Sequence, residues 1–161
     1  MANPKDTRKW SELYHLDVYL TREGRSLGKV EDFFVRTGSS ALYALSVRTR
    51  LHGDLTLPVT GITAVEADRI TVPNAQVLLT AVPPYLHGKT LLGRKIVSLK
   101  EQELGTVKDV VLTVNPPLAL RVSALEVTQG KSEHTKVFTS DGIASYDDNV
   151  VTVDDFIAKK L

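Results

Sequence analysis

The sequence predicts an all-β chain, two tandem small barrels followed by a short C-terminal helix. Three observations carry this expectation. One motif recurs in both halves of the chain, the runs around it alternate with the two-residue period of half-buried strands, and turn chemistry separates those runs at close spacing.

The repeat comes first because it sets the frame. Leu27-Gly28-Lys29-Val30-Glu31-Asp32-Phe33-Phe34 returns as Leu104-Gly105-Thr106-Val107-Lys108-Asp109-Val110-Val111, 77 positions on. Upstream at that offset, Tyr19-Leu20-Thr21 faces Ile96-Val97-Ser98. Downstream the offset becomes 80, where Ala44-Leu45-Ser46-Val47 meets Ala124-Leu125-Glu126-Val127. It becomes 81 for Ile70-Thr71-Val72 with Val151-Thr152-Val153. The boundaries follow: an N-terminal tail at 1–11, one barrel at 12–73, an apolar proline-containing linker at 74–89, a second barrel at 90–153, and a helix at 154–161.

Each element has its own signal. Val30, Asp32 and Phe34, then Leu45 and Val47, read as strands, as do Val107, Asp109 and Val111, then Leu125 and Val127. Arg22 to Arg25, Thr37 to Ser40, Asn115 to Pro117, Ser140 to Gly142 and Asp147 to Asn149 read as turns. Gly24 supplies a positive φ in the first hairpin, and Lys100 to Glu103 implies a different turn in the second copy. Gly28 and Gly105, set inside strand-like runs, mark a bend or close backbone approach. Asp154 or Asp155 starts the tail helix, and Lys159 and Lys160 end it with the charge its dipole favours. The linker carries no charge from Pro73 to Leu86, so Val77, Leu78, Leu79 and Val82 are expected to pack between the barrels or against a second chain.

At Leu-Gly-x-Val-x-Asp followed by two apolar residues, the chain resembles the PRC-barrel family. That family is named after the cytoplasmic domain of the photosynthetic reaction-centre H subunit and includes the C-terminal domain of a small-subunit ribosome maturation factor. Leu27, Gly28, Val30 and Asp32 carry the motif in the first copy, and Leu104, Gly105, Val107 and Asp109 in the second. The opening Ser11-Glu12-Leu13 fits as well, while Leu16 departs where the second copy has Gly93. The resemblance implies a small bent barrel in each half and a role in macromolecular assembly.

Chemistry is sparse beside this architecture. The absence of cysteine excludes disulfides, thiolate metal sites and cysteine catalysis. His15, His52, His87 and His134 lie far apart, without the close pairs of a zinc site. No nucleophile elbow or phosphate loop occurs, so no catalytic residue, metal or cofactor is expected. Twenty basic residues balance nineteen acidic ones, which removes the simplest argument for nucleic-acid binding. No run approaches the roughly 20 apolar residues that cross a bilayer, and the first residues show no apolar signal core, which fits a cytoplasmic protein.

Candidate partner contacts are Arg48 and Arg50 on one strand face, Trp10 beside Lys5, Arg8 and Lys9, and Tyr85 in the linker. The expected function is a non-enzymatic adaptor serving an unidentified protein partner or complex, with a homodimer as one arrangement. An RNA or ribosome-assembly factor is the alternative, less favoured on charge. A peripheral component of a membrane complex is weaker still.

Overall fold

The computed structural model describes residues 6–130, 134–147 and 149–161. Its first half runs β1 (Thr7–Lys9), α1 (Trp10–Leu13), β2 (Asp17–Leu20), β3 (Arg25–Arg36), β4 (Ala41–Thr49), β5 (Asp54–Pro58), β6 (Ala64–Val65) and β7 (Arg69–Val72). The second runs β8 (Leu86–His87), β9 (Lys95–Ser98), β10 (Glu103–Thr113), β11 (Arg121–Thr128), β12 (Thr135–Thr139), β13 (Ile143–Ser145), β14 (Val150–Val153) and α2 (Asp155–Ala158). Among the described residues two one-turn α-helices accompany these strands, so the chain is all-β with a short C-terminal helix.

The main path of the sheet is β13-β14-β9-β10-β11-β4-β3-β2-β7-β6. With each strand matched to its counterpart, this order reads the same from either end. Counted outward from the middle, each half has two antiparallel pairings, then one parallel pairing that curls the sheet, then a third antiparallel one. Val18 lies beside Ile70 in the first, and Ile96 beside Val151 in the second. The symmetry passes between Ala41 and Arg121, the pair joining β4 to β11. There the Leu42 N–H donates to the Leu120 carbonyl at 3.0 Å, and the Val122 N–H to the Ser40 carbonyl at 2.8 Å.

The entry segments cross over. β1 pairs with β10 of the second half, and β8 pairs with β3 of the first. Residues 1–11 are therefore not simply a tail, because Thr7–Lys9 complete the other half's sheet. Three residues without periodicity give no strand signal, and their partners lie about a hundred positions away. The buried apolar residues of both halves form one cluster, from Trp10 and Phe33 to Val110, Leu125 and Val151.

Several sequence expectations need correcting. Strict alternation would turn Phe33 outward, yet Phe33 and Val30 are both fully buried. A bulge between Val30 and Asp32 inserts one unpaired residue and resets the alternation, and Val107 to Asp109 repeats it. The turn at Lys100 to Glu103 is built differently, as expected: Glu101 shares the left-handed φ of Gly24, +64° against +67°, but its N–H donates to the Ser98 carbonyl three residues back, whereas that of Gly24 donates to the Leu20 carbonyl four back. The counterpart of Gly93 is His15 rather than Leu16. Both are left-handed, at +82° and +71°, and their N–H groups donate to the carbonyls of Val107 and Val30. Histidine tolerates this conformation better than most residues do.

The linker does not pack between the two halves. Leu79 is 45% exposed and Val82 66% exposed. Val77 and Leu78 pack only partly, with Val77 set against Gly61 of the first half. Leu79 forms an antiparallel bridge with Thr56 on the outer edge of β5, so the segment extends the first half. Ile157 of α2 presses on Gly142 as Val77 does on Gly61, which explains how so short a helix is held. The side chain of Asp154 makes no capping bond; its carbonyl accepts from Ala158.

Gly28 is required by close approach. A Cβ there would lie 2.2 Å from the Arg48 carbonyl oxygen, a backbone atom held in the ladder. Gly28→Ala is expected to destabilise the chain by about 1–3 kcal/mol in urea unfolding; an unchanged midpoint would refute this packing.

Candidate functional site

The bulges that reset the strands also place two carboxylates at the crossings. Asp32 Oδ1 accepts from the N–H of Phe33 at 2.8 Å, and Asp109 Oδ1 from that of Val110 at 2.8 Å. Each carboxylate then reaches the other half's entry segment. Asp32 Oδ1 also accepts from the Lys89 N–H at 2.9 Å, and its Oδ2 lies 3.2 Å from His87 Nδ1. Asp109 accepts from the Ser11 N–H at 3.2 Å and the Ser11 hydroxyl at 2.5 Å. Both aspartates thus act architecturally, bonding backbone at the bend and clasping the opposite half.

Charged side chains cluster around these clasps. Glu126 is almost fully buried, with Lys9 at 2.7 Å and Lys108 at 3.6 Å. The hydrogen bond from Lys9 holds the Glu126 carboxyl below its ordinary range, against the upward push of burial, and the Lys9 ammonium is correspondingly raised. In the first half Glu31 meets Lys89 at 3.3 Å, Arg48 at 3.4 Å and His15 at 3.7 Å. Lys89 also lies 4.8 Å over the Tyr14 ring. His15, Glu31 and Arg48 line a cleft of about 500 Å³ beside Gly28, and Tyr14, Lys89 and Lys108 line one of about 270 Å³ beside Trp10.

The four expected partner contacts do not form one surface. Trp10 is 2% exposed and packs on Phe33 with ring centroids 4.7 Å apart, so it belongs to the core. Its helix delivers it inward, a placement that neighbouring Arg8 and Lys9 conceal in the sequence; Lys5 lies outside the described residues. Arg48 is exposed but engaged, donating to Asp54 at 3.0 Å as well as pairing with Glu31. Arg50 is exposed just beyond β4. Tyr85 lies near the other end of β4, 4.9 Å from Tyr43, with Arg36 over both rings. Leu27 and Leu104 pack against the core, and Val30 and Val107 lie within it.

Sequence reasoning missed Lys89 and Glu126, and it named Lys9, Ser11 and His87 without finding what they hold. Glu126 alone left a trace, as a charge inside the apolar run Ala124 to Val127. Among the described residues, no group of His, Asp and Glu side chains could hold a metal ion. Burial lowers the Arg94 guanidinium while its Nη1 donates to the Tyr146 carbonyl at 2.7 Å, and burial raises the Tyr146 hydroxyl, which meets Ser40 Oγ at 2.6 Å. These contacts tie elements together.

The Lys9–Glu126 pair carries a pH signature. Unfolded, Glu126 titrates near about 4.3; folded, it releases its proton at lower pH. The unfolded chain therefore binds more protons in that interval, and stability rises with pH there. The contribution is present above the unfolded value and is lost as pH falls through the folded one. The stability gap between wild type and Glu126→Gln is expected to shrink from about pH 7 to about pH 3 in urea titrations; a constant gap would refute the pairing.

Among the described residues no helix is long and apolar enough to cross a membrane. A search of curated proteins finds no match to the chain. Comparison with protein families does find one: residues 5–79, spanning the β1-to-β7 half with its motif Leu27, Gly28, Val30 and Asp32, contain a PRC-barrel domain.

Proposed function

We propose that the chain is a non-enzymatic adaptor made of two interlocked PRC-type barrels, which present surfaces to a protein partner during assembly or regulation of a larger complex. The supporting observation is the repetition of strand pairing around the PRC-barrel domain. The second half has the same antiparallel neighbours, the same parallel closure and the same aspartate at its bulge. On this reading residues 90–153 are a second barrel, and the chain works without a cofactor in the cytoplasm.

The charge arrangement favours a protein partner over RNA. Arg48, the more central of the two arginines expected to face phosphate, is neutralised by Asp54 and Glu31. Full-length tagged protein is therefore expected to retain the same protein partner from host lysate with or without nuclease. Its affinity for RNA is expected to be weak and to fall steeply with salt. Capture that disappears after nuclease treatment, together with tight RNA binding at physiological salt lost in Arg48→Ala/Arg50→Ala, would replace this reading with the RNA one.

A further inference from the structure

The two halves differ at one matched place, the outer edge of the fourth large strand. In the first half that strand is β5, where Thr56 faces Ser46 of β4. The outer side of Thr56 is occupied by the chain's own linker. The Thr56 N–H donates to the Leu79 carbonyl at 2.7 Å, and the Leu79 N–H donates back at 2.8 Å. The Thr56 hydroxyl adds a bond to the Ala81 carbonyl at 2.8 Å. Thr56 is consequently only 4% exposed.

In the second half the matching strand is β12, and the residue at the matching register is Val137, facing Glu126 of β11. Residues of an antiparallel strand direct both backbone groups alternately to one side and the other. Since Thr56 directs its pair outward, so does Val137. Among the described residues, however, no backbone group bonds Val137 on that side, and Val137 is 60% exposed. The chain beyond α2 takes another path, with the Lys160 and Leu161 carbonyls accepting from Lys136 Nζ at 3.2 and 3.4 Å. A groove of about 380 Å³ is left between β12 and α2, with Val137, Thr139, Ile157 and Leu161 on its walls and Lys136 and Lys160 at its rim.

We propose that this edge takes an extended strand of a partner protein, added antiparallel to β12, with an apolar residue of leucine type opposite Val137. The occupant of the matched edge supplies the template: Leu78-Leu79-Thr80-Ala81 is uncharged, and Leu79 makes the reciprocal pair. The rim lysines, with no acidic side chain lining the groove, favour carboxylates on the segment's flanks. Strand addition draws its affinity from main-chain bonds and its selectivity from the pockets for alternate side chains. An exposed edge without a partner is otherwise a liability, commonly countered by charge or proline; the charge beside Val137, Lys136, is turned to the Lys160 and Leu161 carbonyls. The inference rests on the adaptor reading and names its docking edge.

The test uses the full chain and a synthetic peptide spanning residues 76–83, followed by NMR of backbone amides. A saturable shift centred on Lys136 to Phe138 is expected, with slowed hydrogen exchange at the Val137 N–H. Acidic residues added at both ends of the peptide should tighten binding at low salt. Val137→Pro removes the outward donor and leaves the bonds to β11 in place; Pro58 occupies an outward-facing position two residues beyond Thr56 on the matched strand. Loss of that one bond of the reciprocal pair is expected to weaken binding by about tenfold. Should that variant unfold, the wild-type shift map still decides.

Equal binding of a scrambled peptide, or shifts away from β12, would overturn the proposal. A dimer that Val137→Pro converts to monomer would assign the edge to a second copy and overturn the proposed occupant. If a lysate partner is retained equally by Val137→Pro, the edge fails and the adaptor reading stands. If the peptide binds at Val137 but no protein partner is retained, the edge stands and the adaptor reading fails.

Discussion

The clasp made by two aspartates at strand bulges is the contact on which the remaining architecture turns. A bulge leaves a backbone N–H unpaired beside a bend, and a buried donor without a partner costs about 1–3 kcal/mol. Asp32 and Asp109 each satisfy that donor and use their remaining lone pairs to hold the segment that enters the opposite half. Local necessity and long-range assembly therefore meet in the same carboxylate. Once Ser11 and Lys89 are held, β1 and β8 lie where they can add to the opposite sheets, and Trp10 is carried into the shared core.

This interlock explains why the halves share one apolar cluster rather than two. The seam at Ala41 and Arg121 is short, and neither Leu79 nor Val82 seals it. The exchanged entry segments make the connection instead, supported by the buried Ser40–Tyr146 contact and the Lys9–Glu126 pair. Symmetry is kept in the backbone and relaxed in the side chains. Glu31 and Lys108 occupy matched positions with opposite charge, so each half recruits different ionic partners around the same bend. A duplicated scaffold with unlike surfaces suits a protein whose work is recognition.

Much of this was legible in the sequence because it is governed by local pattern. The recurrent Gly and Asp found the bends, and the change of offset from 77 to 80 and 81 located the longer turns of the second half. Ser140 to Gly142 read as a turn, and the tail helix seats on it through Ile157. What stayed hidden depends on contacts across about a hundred residues. Thr7–Lys9 and Leu86–His87 are too short to show a strand period, and Trp10 among charged neighbours resembles a surface aromatic. The apolar composition of the linker did not reveal that Leu79 would lie on the first half rather than between the halves. Leu79 lies on the edge of β5, where one reciprocal pair of backbone bonds, rather than deep burial, holds it. Of the candidate contacts, Arg48 was placed on the surface as alternation requires, while its neutralisation by Glu31 and Asp54 needed the folded strands side by side.

The clasp account makes the two halves a single cooperative unit, and native-state hydrogen exchange on Asp109→Ala tests this most directly. Asp109 belongs to the second half by sequence but holds the entry of the first. The account predicts that protection at Val30 and Leu45 falls by the same free energy as protection at Val107 and Leu125, because opening one half releases the other. Loss of protection confined to Val107 and Leu125, with Val30 and Leu45 unchanged, would contradict it.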